Sequence, residues 1–190
     1  MTDVNLRPPP DVSASGATRT AVDARATPDA RHVAMVELLF FAYRDFTAEA
    51  DALLVGLGFG RAHHRVLHFV NRNPGLRVAD LLEILKITKQ SLARVLKQLV
   101  DRGYIHQTAG STDRRERRLH VTDAGRTLAD QLLDLQSRRL GAALAAAGPH
   151  AAAAAEAFLY GVISPSERAD VHDSVHARTA EDAKRRGRGP

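Results

Sequence analysis

The chain has no cysteine and no tryptophan among its 190 residues. The missing thiols exclude a disulfide scaffold, a thiolate metal site, a cysteine nucleophile and any cysteine-based redox switch. No apolar run is long enough to span a bilayer. The beginning of the chain carries neither the basic region nor the apolar stretch of a secretory signal, so a cytoplasmic protein is expected. A Gly-rich phosphate loop is missing, as are a Ser-His-Asp order in a plausible strand context and an acidic pair in a catalytic setting. Neither an enzyme nor a cofactor is expected. What remains is a chain of 44% hydrophobic content, enough to bury one core.

The informative stretch is Arg77 to Gly125. Val78, Leu81, Leu82 and Leu85 recur at helical spacing, and Lys86-Ile87-Thr88 follows as a short turn. Leu92, Val95, Leu96 and Leu99 then repeat at three and four residues, so a second helix of about 88–102 buries that face against the first. Thr88 is placed to cap its start, and Gly103 to stop it in a left-handed conformation. Its opposite face carries Thr88, Lys89, Gln90, Ser91, Arg94 and Lys97, side chains able to reach base edges or phosphates, with no acid until Asp101. After Gly103, Tyr104–Thr108 and Arg117–Val121 have strand-like compositions joined by a turn-like, charged tip that includes Asp113, Arg114 and Arg115. Helix, turn, helix and a hairpin with a basic tip make the layout of a winged helix-turn-helix.

Charge placement supports DNA as the partner. Residues 61–118 hold thirteen Arg and Lys against five Asp and Glu, an excess of +8, whereas the whole chain is only +5 and the remainder is therefore −3. A surface that only solubilises would mix signs; here the positive charge gathers on the part that would read DNA. Any one of these residues alone fits a solvated surface equally well, so the argument rests on the cluster.

Pro74–Leu82, Ile87–Leu99, Asp101-Arg102-Gly103-Tyr104-Ile105, Asp113-Arg114-Arg115 and Leu119–Gly125 together resemble the MarR-type transcriptional regulators, over roughly residues 31–163. Each motif is weak alone, but their order and spacing are specific. His63–Val70, followed by these runs, is similar to the proteobacterial PetP-like branch. The resemblance implies that the second helix lies in the major groove and that an Asp-x-Arg element sends an arginine toward the minor groove. On this sequence those roles fall to the 88–97 face, to Asp113 and to Arg115, with Arg114 and Arg117 as further contacts.

The rest of the chain divides around this reading head of 57–122. Residues 1–29 lack apolar periodicity and read as a disordered arm. Between 30 and 55 a wide apolar stripe includes Val33, Val36, Leu39, Phe40, Tyr43, Phe46, Ala50, Leu53 and Leu54; two more helices fill 123–163, ended by Gly148-Pro149 and enriched in alanine from Ala151. Ser164-Pro165-Ser166-Glu167 has the pattern of a capping box, so a short helix and a basic tail are expected over 164–190. The fold class is mainly α with a small β-wing. The outer helices carry more apolar surface than one small head covers, which argues for a homodimer, and the resemblance implies the same. Two heads related by a two-fold axis would read half-sites ~34 Å apart on a palindromic operator.

The resemblance further implies a small-molecule effector in a crevice near Tyr43, Phe46, Phe59, His63, His64 and Leu67, with anionic aromatic compounds suited to the neighbouring Arg and His. His64 and His68, and again His172 and His176, are spaced for a metal. Since no Asp or Glu lies between 52 and 79, no metal site is assigned. Two other functions use the same features: a nonspecific architectural or nucleoid DNA-binding protein, and a module that docks an acidic protein partner.

Overall fold

The computed structural model describes residues 29–110 and 116–176. Two units divide the chain, residues 1–39 and 40–190. The elements run α1 (Ala30–Gly56), α2 (Arg61–Arg72), β1 (Leu76–Arg77), α3 (Val78–Leu85), α4 (Lys89–Asp101), β2 (Ile105–Ala109), β3 (Arg117–Val121), α5 (Asp123–Ala147) and α6 (Ala151–Val162). Residues 168–176 are helical as well. The fold is mainly helical with one small antiparallel sheet, as the sequence predicts. No helix among the described residues is long and apolar enough to cross a membrane.

In the first unit the described residues are 29–39. The Asp29 carboxylate accepts the Arg31 backbone N–H at 2.9 Å, satisfying one of the donors that a helix start leaves open. Val33, Val36 and Leu38 on this stretch are exposed.

In the second unit the head packs around residues from every element but α6. Val66, Leu67 and Val70 of α2 meet Leu81 and Leu85 of α3 and Leu92, Val95, Leu96 and Leu99 of α4. The sheet closes the core with Ile105, Leu119 and Val121, α5 adds Leu128, Ala129 and Leu132, and α1 adds Ala50 and Leu54. Fully burying one such leucine is worth about 1.5–3 kcal/mol. The apolar positions of α3 and α4 picked out by their spacing are thus the ones that turn inward.

The strands lie in the order β1-β3-β2, all antiparallel. In β2 and β3, Ile105 faces Val121 and Ala109 faces Arg117; the Gly110 N–H donates to the Glu116 carbonyl at 2.9 Å beyond the last pair. β1 was not foreseen. Its two residues, Leu76 and Arg77, pair with Leu119 and Arg118, too short a stretch to show alternation.

The junction between wing and α5 is tightly built. Thr122 caps α5 by accepting the Gly125 N–H at 3.0 Å, and its hydroxyl donates to the Gly103 carbonyl at 2.6 Å. A Cβ on Gly125 would fall 2.0 Å from the Tyr104 carbonyl oxygen, so only glycine fits there. Gly103 stands at φ 72°, supplying the left-handed stop expected after α4.

The capping box at Ser164 does not form. The backbone turns through 165–167 and helix begins at 168, with the Glu167 N–H donating to the Ser164 carbonyl at 2.9 Å. Two side chains explain the later start. Arg168 donates to the carbonyls of Ile163 (2.8 Å) and Gly161 (2.6 Å), closing the end of α6, and the Glu167 carboxylate turns to Lys86 at 3.2 Å.

Candidate nucleic-acid interface

Thr88 stands in extended backbone (φ −70°, ψ 148°) and its hydroxyl oxygen accepts the Ser91 N–H at 3.2 Å, which fixes where α4 begins. The turn before it contains Lys86 at φ 50°, a left-handed conformation uncommon outside glycine and asparagine. Its ammonium is held by two carboxylates, Glu167 at 3.2 Å and Glu83 at 3.6 Å, and its pKa is raised, first by the bond to Glu167.

With Leu92, Val95, Leu96 and Leu99 buried, Lys89, Gln90, Ser91, Arg94 and Lys97 are all exposed on the opposite side of α4. They do not stand equally free. The Thr88 hydroxyl donates to Ser91 Oγ at 2.9 Å, and Lys97 Nζ lies 2.6 Å from Asp101 Oδ2 one turn on. Lys89, Gln90 and Arg94 are the members of this face without a protein partner among the described residues. Arg94 also borders a cleft of about 380 Å³ between α4 and the start of α2, shared with Gly60, Arg61, His63 and Gln98.

On the wing, Arg117 is exposed at the start of β3. Arg118 meets Glu116 at 2.8 Å. Arg77 pairs with Asp80 at 2.7 Å, the hydrogen bond that chiefly raises the arginine's pKa and lowers the acid's. Asp113, Arg114 and Arg115 lie outside the described residues.

The six residues expected around an effector separate into two groups. Tyr43, Phe46 and His64 line a pocket of about 330 Å³, completed by Thr47, Arg61, Arg65, His68 and Phe69 and by Leu133, Gln136, Ser137 and Leu140 of α5. Phe59, His63 and Leu67 are not brought to it. Leu67 is fully buried in the core, and Phe59 is packed between the His63 ring (stacked, centroids 4.6 Å apart) and the Tyr104 ring. His63 serves α4 instead. Its Nδ1 accepts the Gly60 N–H at 3.1 Å, so its proton resides on Nε2, which donates to Gln98 Oε1 at 2.7 Å. The sequence could not disclose this, because Gln98 stands 35 positions away.

The pocket combines aromatic walls with cationic groups. Arg61 donates to Asp51 at 2.7 Å, which holds its pKa up, and its guanidinium lies 5.5 Å from the centre of the Tyr43 ring. Burial pushes the His64 imidazole below its ordinary pKa, favouring its uncharged form at the pocket wall. Arg65, found from the structure and not from the sequence, adds a further guanidinium. Among the described residues no three His, Asp or Glu side chains come together in a way that could hold a metal.

A buried helix pair, an exposed polar face on its second member and a strand pair beside it define a winged helix-turn-helix protein. The MarR family model matches residues 57–116. The HTH-type transcriptional regulator PetP of Rhodobacter capsulatus is 47% identical over 133 residues, covering 70% of this chain and 80% of its own. The chain belongs to the MarR family of transcriptional regulators, and it is not an enzyme. Among solved structures, a SlyA-like regulator of Listeria monocytogenes superposes with a TM-score of 0.58 at 16% identity, covering 80% of this chain and 95% of its own. A MarR mutant of E. coli complexed with operator DNA gives 0.56 at 18% identity, covering 70% and 96%. Both share the fold.

Proposed function

We propose that this regulator binds a palindromic operator as a homodimer in the cytoplasm, with α4 in the major groove. The observation that carries the reading is the outer face of α4. Lys89, Gln90 and Arg94 are exposed there without protein partners among the described residues, while the opposite face is anchored in the core. Arg94 and Gln90 are the base readers, Lys89 and Arg117 phosphate contacts, and Thr88 and Ser91 chiefly shape the helix start. Lys97 contributes least, its charge being engaged by Asp101. The wing roles of Asp113, Arg114 and Arg115 come from the family resemblance, Arg115 reaching the minor groove and Asp113 holding the loop. The operator complex of the E. coli relative supports the same use of the fold.

A dimer is supported by apolar side chains that the second unit leaves in water: Phe40 and Phe41 of α1, Leu140 of α5, and Phe158, Leu159 and Val162 of α6. Exposed apolar surface of this extent marks an interface. The pocket lined by Tyr43, Phe46 and His64 is the effector site, and its aromatic and cationic walls suit an anionic aromatic compound.

Binding of the intact chain to a duplex it selects from a random pool, and to random DNA, tests the reading. Arg94→Ala should weaken the selected site by about 1–3 kcal/mol and leave random DNA nearly unchanged. Equal losses on both would make Arg94 a phosphate contact, and equal wild-type affinity for both would favour a nonspecific architectural binder.

A further inference from the structure

Arg65 stands on α2 between the pocket and the turn that aims α4. It lines the pocket, and its guanidinium donates to the Leu85 carbonyl at 3.2 Å. Leu85 is the last residue of α3, where backbone carbonyls lack intrahelical donors and carry partial negative charge. Directly after it come Lys86 in its left-handed conformation and, two residues on, Thr88 with its cap on α4. One side chain thus joins the pocket wall to the end of α3, where the turn into α4 begins.

The pocket's two arginines differ in how their charge is met. Arg61 has the Asp51 carboxylate at 2.7 Å. Arg65 has only a neutral carbonyl and no carboxylate partner among the described residues. An anion in the pocket would therefore find its uncompensated charge on Arg65, and a guanidinium binds a carboxylate through two parallel bonds about twice as strong as a bond to a neutral acceptor.

We propose that Arg65 couples the pocket to DNA binding: an anion that takes its guanidinium withdraws the donor from the Leu85 carbonyl and frees the turn that orients α4. This rests on reading the pocket as the effector site, and it adds the residue through which occupancy is felt.

The test uses the full chain, a duplex selected by the protein and random DNA, with benzoate as the anionic probe and benzamide as its uncharged counterpart. Arg65→Met, which removes the guanidinium at an exposed position while keeping a long side chain, should lose about five- to tenfold on the selected duplex, the lower range of site-to-site coupling, and nothing on random DNA. Benzoate should lower wild-type affinity for the selected duplex, benzamide should not, and neither should change Arg65→Met further. Arg65→Lys, which keeps the charge without the fork, should fall between wild type and Arg65→Met. Wild-type affinity of Arg65→Met would overturn the proposal. So would release of Arg65→Met by benzoate to the same degree as wild type, with the effector pocket itself left standing. Failure of the pocket reading looks different: benzoate leaves the wild type unaffected while Arg65→Met still shows its loss, which overturns the anion's part.

Discussion

The reading head and α6 use leucine, valine and alanine in opposite ways. In the head, α3 and α4 turn their apolar residues into a core where Leu81 and Leu99 are fully buried. On α6 no residue is buried, although the helix is almost wholly apolar, and Phe158, Leu159 and Val162 face water. Both segments form helices, so helix propensity does not explain the difference. The head satisfies its apolar surface within the chain, whereas the apolar side chains of α6, rich in alanine that lets another helix approach closely, are left uncovered by the described residues.

The largest effect that sharpens this contrast lies in the head. Leu99→Ala should cost about 2–5 kcal/mol of folding stability, seen as a lowered midpoint in denaturant, because a cavity opens where neighbours cannot collapse. The double variant Phe158→Ser with Leu159→Ser should leave that midpoint nearly unchanged at a protein concentration where the wild type is monomeric, yet shift sedimentation toward monomer at higher concentration. A double variant that unfolded the head would erase the distinction between the two regions.

How far this contrast was readable depended on whether the signal was local. The bounds of α4 could be read because Thr88 and Gly103 mark both ends chemically, and the end of α5 because Gly148-Pro149 does the same, while the Thr122 cap at its start came only from the structure. β1 escaped because two residues carry no period. At 164–167 the sequence had the right letters for a capping box, but Glu167 is drawn to Lys86, 81 positions earlier in the chain. Likewise Phe59, His63 and Leu67 shared a neighbourhood with the pocket residues in sequence, and the helical rotation of α2 sends His63 toward Gln98 and His64 toward the pocket.

That divergence of adjacent histidines gives two smaller predictions. His63→Ala should weaken the selected duplex more than random DNA, since it removes the tie between Gly60 and Gln98; the double variant with Gln98→Ala should lose no more than the larger single loss, because contacting partners are not additive. Equal and additive losses would mean that the two side chains act separately. The smallest effect is a pH dependence. Burial lowers the folded-state pKa of His64, so below about 6.5 the unfolded chain binds more protons at this site, and stability falls with pH until the folded-state pKa is passed. His64→Gln should flatten that part of the stability–pH curve, while an unchanged curve would assign the dependence to other groups.

Gly125 carries a mechanical consequence. With the Tyr104 carbonyl against its bare Cα and the Thr122 hydroxyl bonded to Gly103, the root of the wing and the first turn of α5 fit together like meshed teeth. Leu133, Gln136, Ser137 and Leu140 on α5 line the pocket. A single methyl group at Gly125 would meet the Tyr104 carbonyl oxygen at 2.0 Å, so the wing's root and the rod that walls the pocket could no longer seat against each other as they do here.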